Sequence, residues 1–141
     1  MTVLDMISFA KENPVCTIAT VDGDQPHARA FLSVFFEDND NHNIYFTTGR
    51  NKNVFKQLNK NPKVELCYLA KDFKTMMRLT GVVEVVDDRA KKQKLINERD
   101  YLRGFKADDS ELILLRISHG EARMWSLENN LNEDKAPSVR F

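Results

Sequence analysis

An excess of charge of one sign is missing from this sequence. The 141 residues include 21 Lys and Arg and 21 Asp and Glu, so the formal net charge is zero with neutral histidines. Without a general positive field, the chain has no broad electrostatic attraction for nucleic acid or for an anionic membrane. The charge balance therefore predicts no nucleic-acid partner, and any anion site has to be built locally.

Cysteine and long apolar segments are scarce as well. The two cysteines, Cys16 and Cys67, fall in separate strand-like runs, and the three histidines have no paired-ligand spacing. We therefore interpret the cysteines as reduced core thiols and expect no metal site. No apolar run approaches the ~20 residues needed to span a bilayer, and the charged N-terminal segment has no secretory core. The sequence thus predicts a cytoplasmic protein without a membrane partner.

Three signatures of common enzyme classes are also absent. The chain has no glycine-rich dinucleotide fingerprint, no phosphate loop and no recognisable Ser-His-Asp order. Hydrolysis and nucleotide phosphoryl transfer are therefore disfavoured, and no catalytic residue is assigned. An enzyme with this sequence would take its chemistry from a cofactor, and NAD(P)H would bind it only transiently, without a dedicated Rossmann unit.

Short β-branched and aromatic segments dominate what is present. They predict seven strands, at 15–21, 27–36, 44–48, 64–69, 75–86, 112–118 and 121–127. A bulge or bend is expected at Gly81 in the long fifth strand, and a tight turn at His119-Gly120 between the last two. A polar cluster at 38–43 breaks the chain between strands two and three.

Helical spacing of apolar residues predicts three short helices. The first spans 2–12 with Thr2 as N-cap, the second runs from an N-cap at Asn51 to about 61, and the third runs from Asp87 or Asp88 to about 99. Because strands and helices do not alternate regularly, we expect a mainly β fold with added α, an antiparallel barrel of six or seven strands in one domain, 1–141. The polar tail, 128–141, should be exposed, although its apolar end could pair or dock.

The most informative segment runs from a strand end through Gly49 to a helix N-terminus. Such a junction favours anions, because free backbone N–H groups and the positive end of the helix dipole point outward. Arg50 and Lys52 add charge, and the hydroxyl and amide groups of Thr47, Thr48 and Asn51 add hydrogen bonds. An ordinary turn with solvated cations explains the same residues, so a phosphate site needs another cation.

Arg29 is the candidate for that second cation. On strand two it alternates to the same face as His27 and Phe31, and a charged group on an aromatic face needs a partner. That partner is either a carboxylate at the strand edge or a phosphate beside the Lys52 turn. In the second case the backbone after Arg29 would line a planar ligand.

Several segments together resemble a known family. They are NPV at 13–15, HARAFL at 27–32, YFTTGRNK at 45–52, KQLNKNP at 56–62 and LTGVVEVV at 79–86. In order and spacing, over nearly the whole chain, they resemble the pyridoxamine 5′-phosphate oxidase-like FMN-binding superfamily, especially its small nitroimidazole-resistance-like members. The resemblance implies a split β-barrel that forms a homodimer with two FMN molecules at the subunit interface.

The resemblance also implies a set of cofactor contacts. Phosphate would be held by Arg29 and Lys52, with ribityl or phosphate oxygens at Thr47 and Thr48 and the isoalloxazine ring along the backbone of 30–32. The full implied set is Arg29, Ala30, Phe31, Leu32, Phe46, Thr47, Thr48, Arg50, Asn51, Lys52 and Met76. Trp125 either stacks near the flavin or packs at a rim or interface. Tyr101 and Arg103 either cover a substrate pocket or belong to an exposed polar connection, so they receive no role.

Departures from the family pattern limit the activity that is implied. True pyridoxamine phosphate oxidases carry a lysine where this chain has Val34, and only Arg140 remains of their basic C-terminal segment. Oxidation of pyridoxamine phosphate is therefore not expected. The expected function is an FMN-dependent oxidoreductase acting on a small planar substrate at flavin N5. The alternative is a protein that stores or senses FMN, or haem, without turnover.

Overall fold

The computed structural model describes residues 1–37 and 42–141, so most of the polar break predicted at 38–43 lies outside the described residues. The described residues form three α-helices: α1, Val3–Glu12; α2, Asn53–Lys60; and α3, Arg89–Glu98. The strands are β1 Val15–Asp22, β2 Gln25–Leu32, β3 Ile44–Gly49, β4 Lys63–Leu69, β5 Thr75–Val82, β6 Glu84–Val86, β7 Leu112–Ile117, β8 Gly120–Ser126 and β9 Ser138–Arg140. Short 3-10 turns occupy Asp100–Leu102 and Glu133–Lys135.

These strands form two antiparallel sheets. The larger has the order β2-β1-β4-β5-β8-β9, and the smaller has the order β3-β7-β6. Alternate residues of both sheets, such as Ile18, Leu66 and Leu115, are buried in one shared core, as the pleat requires. The predicted mainly β, antiparallel fold with short peripheral helices is confirmed, and one three-residue strand, β9, adds to the predicted set.

The helix N-termini differ in a way that matters for the site. Thr2 and Asp5 form a capping box on α1, and Asp88 accepts a hydrogen bond from the Lys91 amide at the start of α3, as their sequences predict. The N-cap of α2 is Lys52 rather than Asn51, and no described side chain caps it. The first turn of α2 therefore keeps backbone donors for another acceptor.

The long strand predicted at 75–86 is divided between the two sheets. It breaks at Val83, whose amide donates to the Pro62 carbonyl at 2.9 Å, so β5 belongs to the larger sheet and β6 to the smaller. Gly81 lies at a close approach: a Cβ there would lie 2.7 Å from Ile117 Cγ2. The predicted bend is thus a transfer between sheets that needs a glycine beside it.

Two other predicted connections differ for the same reason. Strand β2 ends at Leu32 rather than at 36, because Val34 leaves the larger sheet and exchanges two backbone hydrogen bonds with Tyr45. The turn predicted at His119-Gly120 does not close a hairpin, since β7 and β8 lie in different sheets. At the end of the tail, β9 pairs with β8, so this segment completes the larger sheet.

Candidate functional site

A pocket of about 350 Å³ opens where β2, β3 and the start of α2 meet the Asp100–Leu102 turn. This volume lies at the lower end of the ~300–1,000 Å³ range of ligand sites. Its lining residues are Arg29, Ala30, Phe31, Leu32, Thr47, Thr48, Gly49, Lys52, Val54, Tyr101, Leu102, Phe105 and Leu112. The two segments singled out in the sequence, around Arg29 and around Gly49, therefore meet in one cavity.

Arg29 supplies the charge at one end of the pocket. Its Nη1 donates to Thr20 Oγ1 at 2.7 Å and to the Ile18 carbonyl at 3.3 Å, and its Nη2 donates to Gln57 Oε1 at 2.8 Å. No carboxylate among residues 1–37 and 42–141 forms an ion pair with it. Partial burial lowers the pKa of Arg29, yet a guanidinium stays protonated at neutral pH. Its positive charge is therefore not neutralised by the described chain.

Lys52 and the first turn of α2 lie at the same end. The Lys52 stem packs over Gly49, where a Cβ would contact Lys52 Cγ at 3.6 Å, and the Lys52 amide donates to the Gly49 carbonyl at 3.1 Å. Lys52 and Val54, at the uncapped start of α2, both line the pocket, so the positive end of a helix dipole adds to the two cations.

Thr48 provides the observation that tests whether a polar ligand fits. Thr48 lines the pocket, and its buried Oγ1 has no hydrogen-bond partner among the described residues. A buried unpaired polar group costs about 1–3 kcal/mol, and a ligand oxygen in the pocket would remove that cost. The donor set of Arg29, Lys52, Thr48 and the α2 amides fits a phosphate with adjoining hydroxyl groups.

The remaining lining of the pocket, which we call its aromatic end, is apolar and aromatic. Phe31 contacts the ring of Phe46 edge to face, with centroids 5.6 Å apart. Tyr101 and Phe105, on the segment after α3, are 53% and 38% exposed. Sequence reasoning gave Tyr101 no role and did not consider Phe105. The available signal was the pair of aromatics four residues apart around Gly104 in an otherwise polar segment.

Four predicted cofactor residues lie outside the pocket lining. Phe46 is fully buried in the core. Arg50 donates to the Ser110 carbonyl at 2.6 Å, and Asn51 donates to Glu111 Oε2 at 3.2 Å, so both fasten the Gly49 turn to the 110–111 turn. Met76 pairs with Trp125 on the face of the larger sheet that points away from the core.

Two further classes of site receive no support from the described residues. They contain no group of three or more His, Cys, Asp or Glu side chains placed to hold a metal ion. No helix among them is long and apolar enough to cross a membrane. Cys16 and Cys67 are both free, as expected, but only Cys16 is buried; Cys67 lies half-exposed on the outer face of β4, a correction to its predicted core position.

Solved structures of other proteins share this architecture. A NimC/NimA family protein from Clostridium acetobutylicum is 28% identical, with a TM-score of 0.81 over 99% of this chain and 93% of that one. A pyridoxamine 5′-phosphate oxidase-related, FMN binding protein from Nostoc punctiforme is 14% identical, with a TM-score of 0.63 over 97% and 95%. The general stress FMN/FAD binding protein from Xanthomonas citri is 20% identical, with a TM-score of 0.69 over 86% of each chain.

The sequence comparisons agree with this likeness. None of the curated proteins compared with the chain matches it. The model of the pyridoxamine 5′-phosphate oxidase family, in contrast, matches residues 6–125, which include β1 to β5, α2, α3 and the pocket residues. The chain belongs to the pyridoxamine 5′-phosphate oxidase family.

Proposed function

We propose that this protein binds FMN in the pocket and is an FMN-dependent oxidoreductase for a small planar substrate. The observation that carries the proposal is the convergence of two cations that the described chain leaves unneutralised, the uncapped α2 terminus and the unpaired Thr48 hydroxyl in one cavity. Two of the structurally similar proteins are named as binding FMN, or FMN and FAD. An oxidase family provides the context for redox chemistry.

Each part of the pocket has a proposed role. Arg29, Lys52 and the α2 amides bind the phosphate, and Thr47 and Thr48 bind ribityl or phosphate oxygens. The backbone of Ala30–Leu32 lies along the ring, and the aromatic side chains at the other end leave room for a planar substrate. When bound, FMN supplies hydride transfer at N5, while the protein orients the reactants and excludes water.

Pyridoxamine phosphate itself is not the proposed substrate. Val34, where the family pattern has a lysine, is buried in a second apolar cluster and bridges to Tyr45. A second phosphate would therefore have no cation at this position. We propose NAD(P)H or another diffusible donor, binding transiently in the cytoplasm, as the source of electrons.

A second copy of the chain is the proposed partner. The outer face of the larger sheet leaves Val15 61% and Leu69 40% exposed. Met76 and Trp125 lie on the same face by register. Burying such a face in a homodimer would place these residues at an interface, consistent with a flavin site that both chains complete.

Cysteine labelling tests the homodimer. Cys67 lies on this outer face, where partial burial raises its pKa, and deeper burial raises the pKa of Cys16 to about 11 and keeps that thiol protonated. In concentrated protein we expect slow alkylation of both thiols. On dilution, Cys67 should become reactive in parallel with dissociation measured by sedimentation, while Cys16 stays slow. Cys67 labelling that does not change with concentration would contradict the proposed interface.

Storage or sensing of FMN is the second candidate function. It is favoured by one observation: among the described residues, no carboxylate, histidine or cysteine lines the pocket, and Tyr101 and Lys52 are the lining side chains that could exchange a proton. Haem is the other ligand considered for such a protein, but the phosphate-type donor set fits FMN better.

One experiment separates these functions. The purified protein is mixed with excess FMN, desalted, and examined by visible absorption, with riboflavin as the matched ligand. We expect FMN to be retained more strongly than riboflavin. Loss of visible absorption with NAD(P)H and its return with a nitroaromatic acceptor would support the enzyme. Retained FMN without turnover would support storage, and failure to retain either flavin would refute both.

A further inference from the structure

Behind Arg29 lies a closed network of three polar side chains. Thr20 of β1 and Gln57 of α2 are both buried, although neither lines the pocket. Thr20 Oγ1 donates to Gln57 Oε1 at 2.7 Å and accepts from Arg29 Nη1 at 2.7 Å, while Arg29 Nη2 donates to the same Gln57 oxygen at 2.8 Å. The network therefore joins β1, β2 and α2 behind the polar end of the pocket.

The directions of these hydrogen bonds are determined by chemistry. A guanidinium has five N–H donors and no acceptor, so the Thr20 hydroxyl has to accept from Arg29 and donate its own hydrogen to Gln57. The bonds to Thr20, Gln57 and the Ile18 carbonyl use three of the five donors. The Arg29 Nε–H and one Nη2–H make no hydrogen bond within residues 1–37 and 42–141. Two donors thus remain for a ligand in the pocket.

The partners that hold Arg29 are electrically neutral. A carboxylate at position 57 would hold the guanidinium equally well but would cancel its charge. The Gln57 amide fixes the geometry and leaves the full positive charge available for an anion. Gln57 belongs to α2, and Lys52 is the N-cap of the same helix. The network therefore also fixes the position of the Arg29 side chain relative to the N-terminus of α2.

We propose that Gln57 and Thr20 are positioning residues that orient a fully charged Arg29 toward the phosphate of the cofactor and so determine the preference for FMN over unphosphorylated flavin. This inference rests on the proposed function, since it assumes a flavin phosphate in the pocket. It adds the two residues that make Arg29 a preorganised phosphate ligand. A purely structural network would instead contribute equally to the binding of any ligand.

Flavin selectivity is the measurement that separates these two roles. Dissociation constants for FMN and riboflavin are measured by flavin fluorescence in wild type, Gln57→Leu, Gln57→Glu and Thr20→Val, with thermal unfolding as a check on folding. For Gln57→Leu and Thr20→Val we expect about tenfold weaker FMN binding and little change for riboflavin, as for a lost charge-assisted hydrogen bond. Gln57→Glu keeps the hydrogen-bond acceptor and adds a negative charge. It should therefore lower the preference for FMN over riboflavin at least as much as Gln57→Leu does.

Two controls complete the design. Thr20→Ser retains the hydroxyl and should restore the preference that Thr20→Val loses. Lys60→Gln removes an exposed charge at the far end of α2 and should leave the ratio of the two constants unchanged.

The possible outcomes are distinct. Equal losses for FMN and riboflavin, or an unchanged ratio in every variant, would overturn this inference while the proposed function stands. A wild-type protein that binds neither flavin would overturn both.

Discussion

The two ends of the pocket are built by different means. At the polar end, every group sits on or beside a regular element, and buried side chains of Thr20, Gln57 and Thr48 surround it. At the aromatic end, Tyr101 belongs to the short 3-10 turn Asp100–Leu102 and Phe105 follows Gly104, whose φ is +96°, and both aromatic side chains remain exposed. The polar end is thus formed by strands and a helix, whereas the aromatic end is formed by the connection that follows α3.

This difference indicates a division of labour. Donors that are already fixed lose little conformational entropy on binding, so a preorganised end suits a constant group such as a phosphate. Exposed aromatic side chains on a connecting segment can accept rings of different shape, and binding segments of this kind carry variable specificity in many folds. We therefore expect substitutions at the polar end to change which flavin binds, and substitutions at the aromatic end to change which substrate reacts.

The largest effect is expected from Lys52→Glu. Reversing the charge at the α2 terminus replaces an attraction for phosphate by a repulsion, so FMN affinity should fall about 100-fold while riboflavin affinity changes little. Titration with both flavins measures this. Lys56→Glu, one turn further along α2 and outside this pocket, is the matched control. Similar losses for the two variants would show that a general field, rather than the Lys52 contact, attracts FMN.

An intermediate effect is expected from Thr48→Val, which should raise the stability of the ligand-free protein and lower its affinity for FMN. The change keeps the side-chain shape and removes a buried hydroxyl without a partner among the described residues, so the free energy of unfolding of the ligand-free protein should rise by about 1 kcal/mol. FMN affinity should fall about tenfold, because the ligand loses a hydrogen bond. Chemical denaturation and flavin titration give the two values. A loss of stability in the ligand-free protein would mean that the hydroxyl is satisfied without ligand.

The smallest effect on cofactor binding is expected from Tyr101→Ala. Losing an exposed aromatic contact should weaken FMN and riboflavin together by about threefold, leaving the FMN preference intact. In turnover assays the KM of the planar acceptor should rise, and Tyr101→Phe should retain most of the wild-type behaviour. If Tyr101→Ala lowered the affinity for FMN but not for riboflavin, the phosphate would lie at the aromatic end. That result would contradict the proposed difference between the two ends of the pocket.

Sequence reasoning reached much of this arrangement through local signals. The capping residues Thr2 and Asp88, the alternation of buried residues along the strands, and the anion-friendly junction at Gly49 depend on groups within a few positions of each other. Such signals do not identify pairings between distant segments. The division of 75–86 between two sheets and the exit of the chain from the larger sheet at Val34 depend on which strands meet across the core.

What the sequence determined by itself is the mainly β architecture and the two segments, around Arg29 and around Gly49, that line the pocket. Only the tertiary structure decided which residues from other parts of the chain lie beside those two segments. Gln57 meets Thr20 across 37 positions of sequence, and Tyr101 comes to the pocket of Arg29 from another region of the chain. Hydrogen bonds and packing act between neighbours in space, and folding alone decides which distant residues become neighbours.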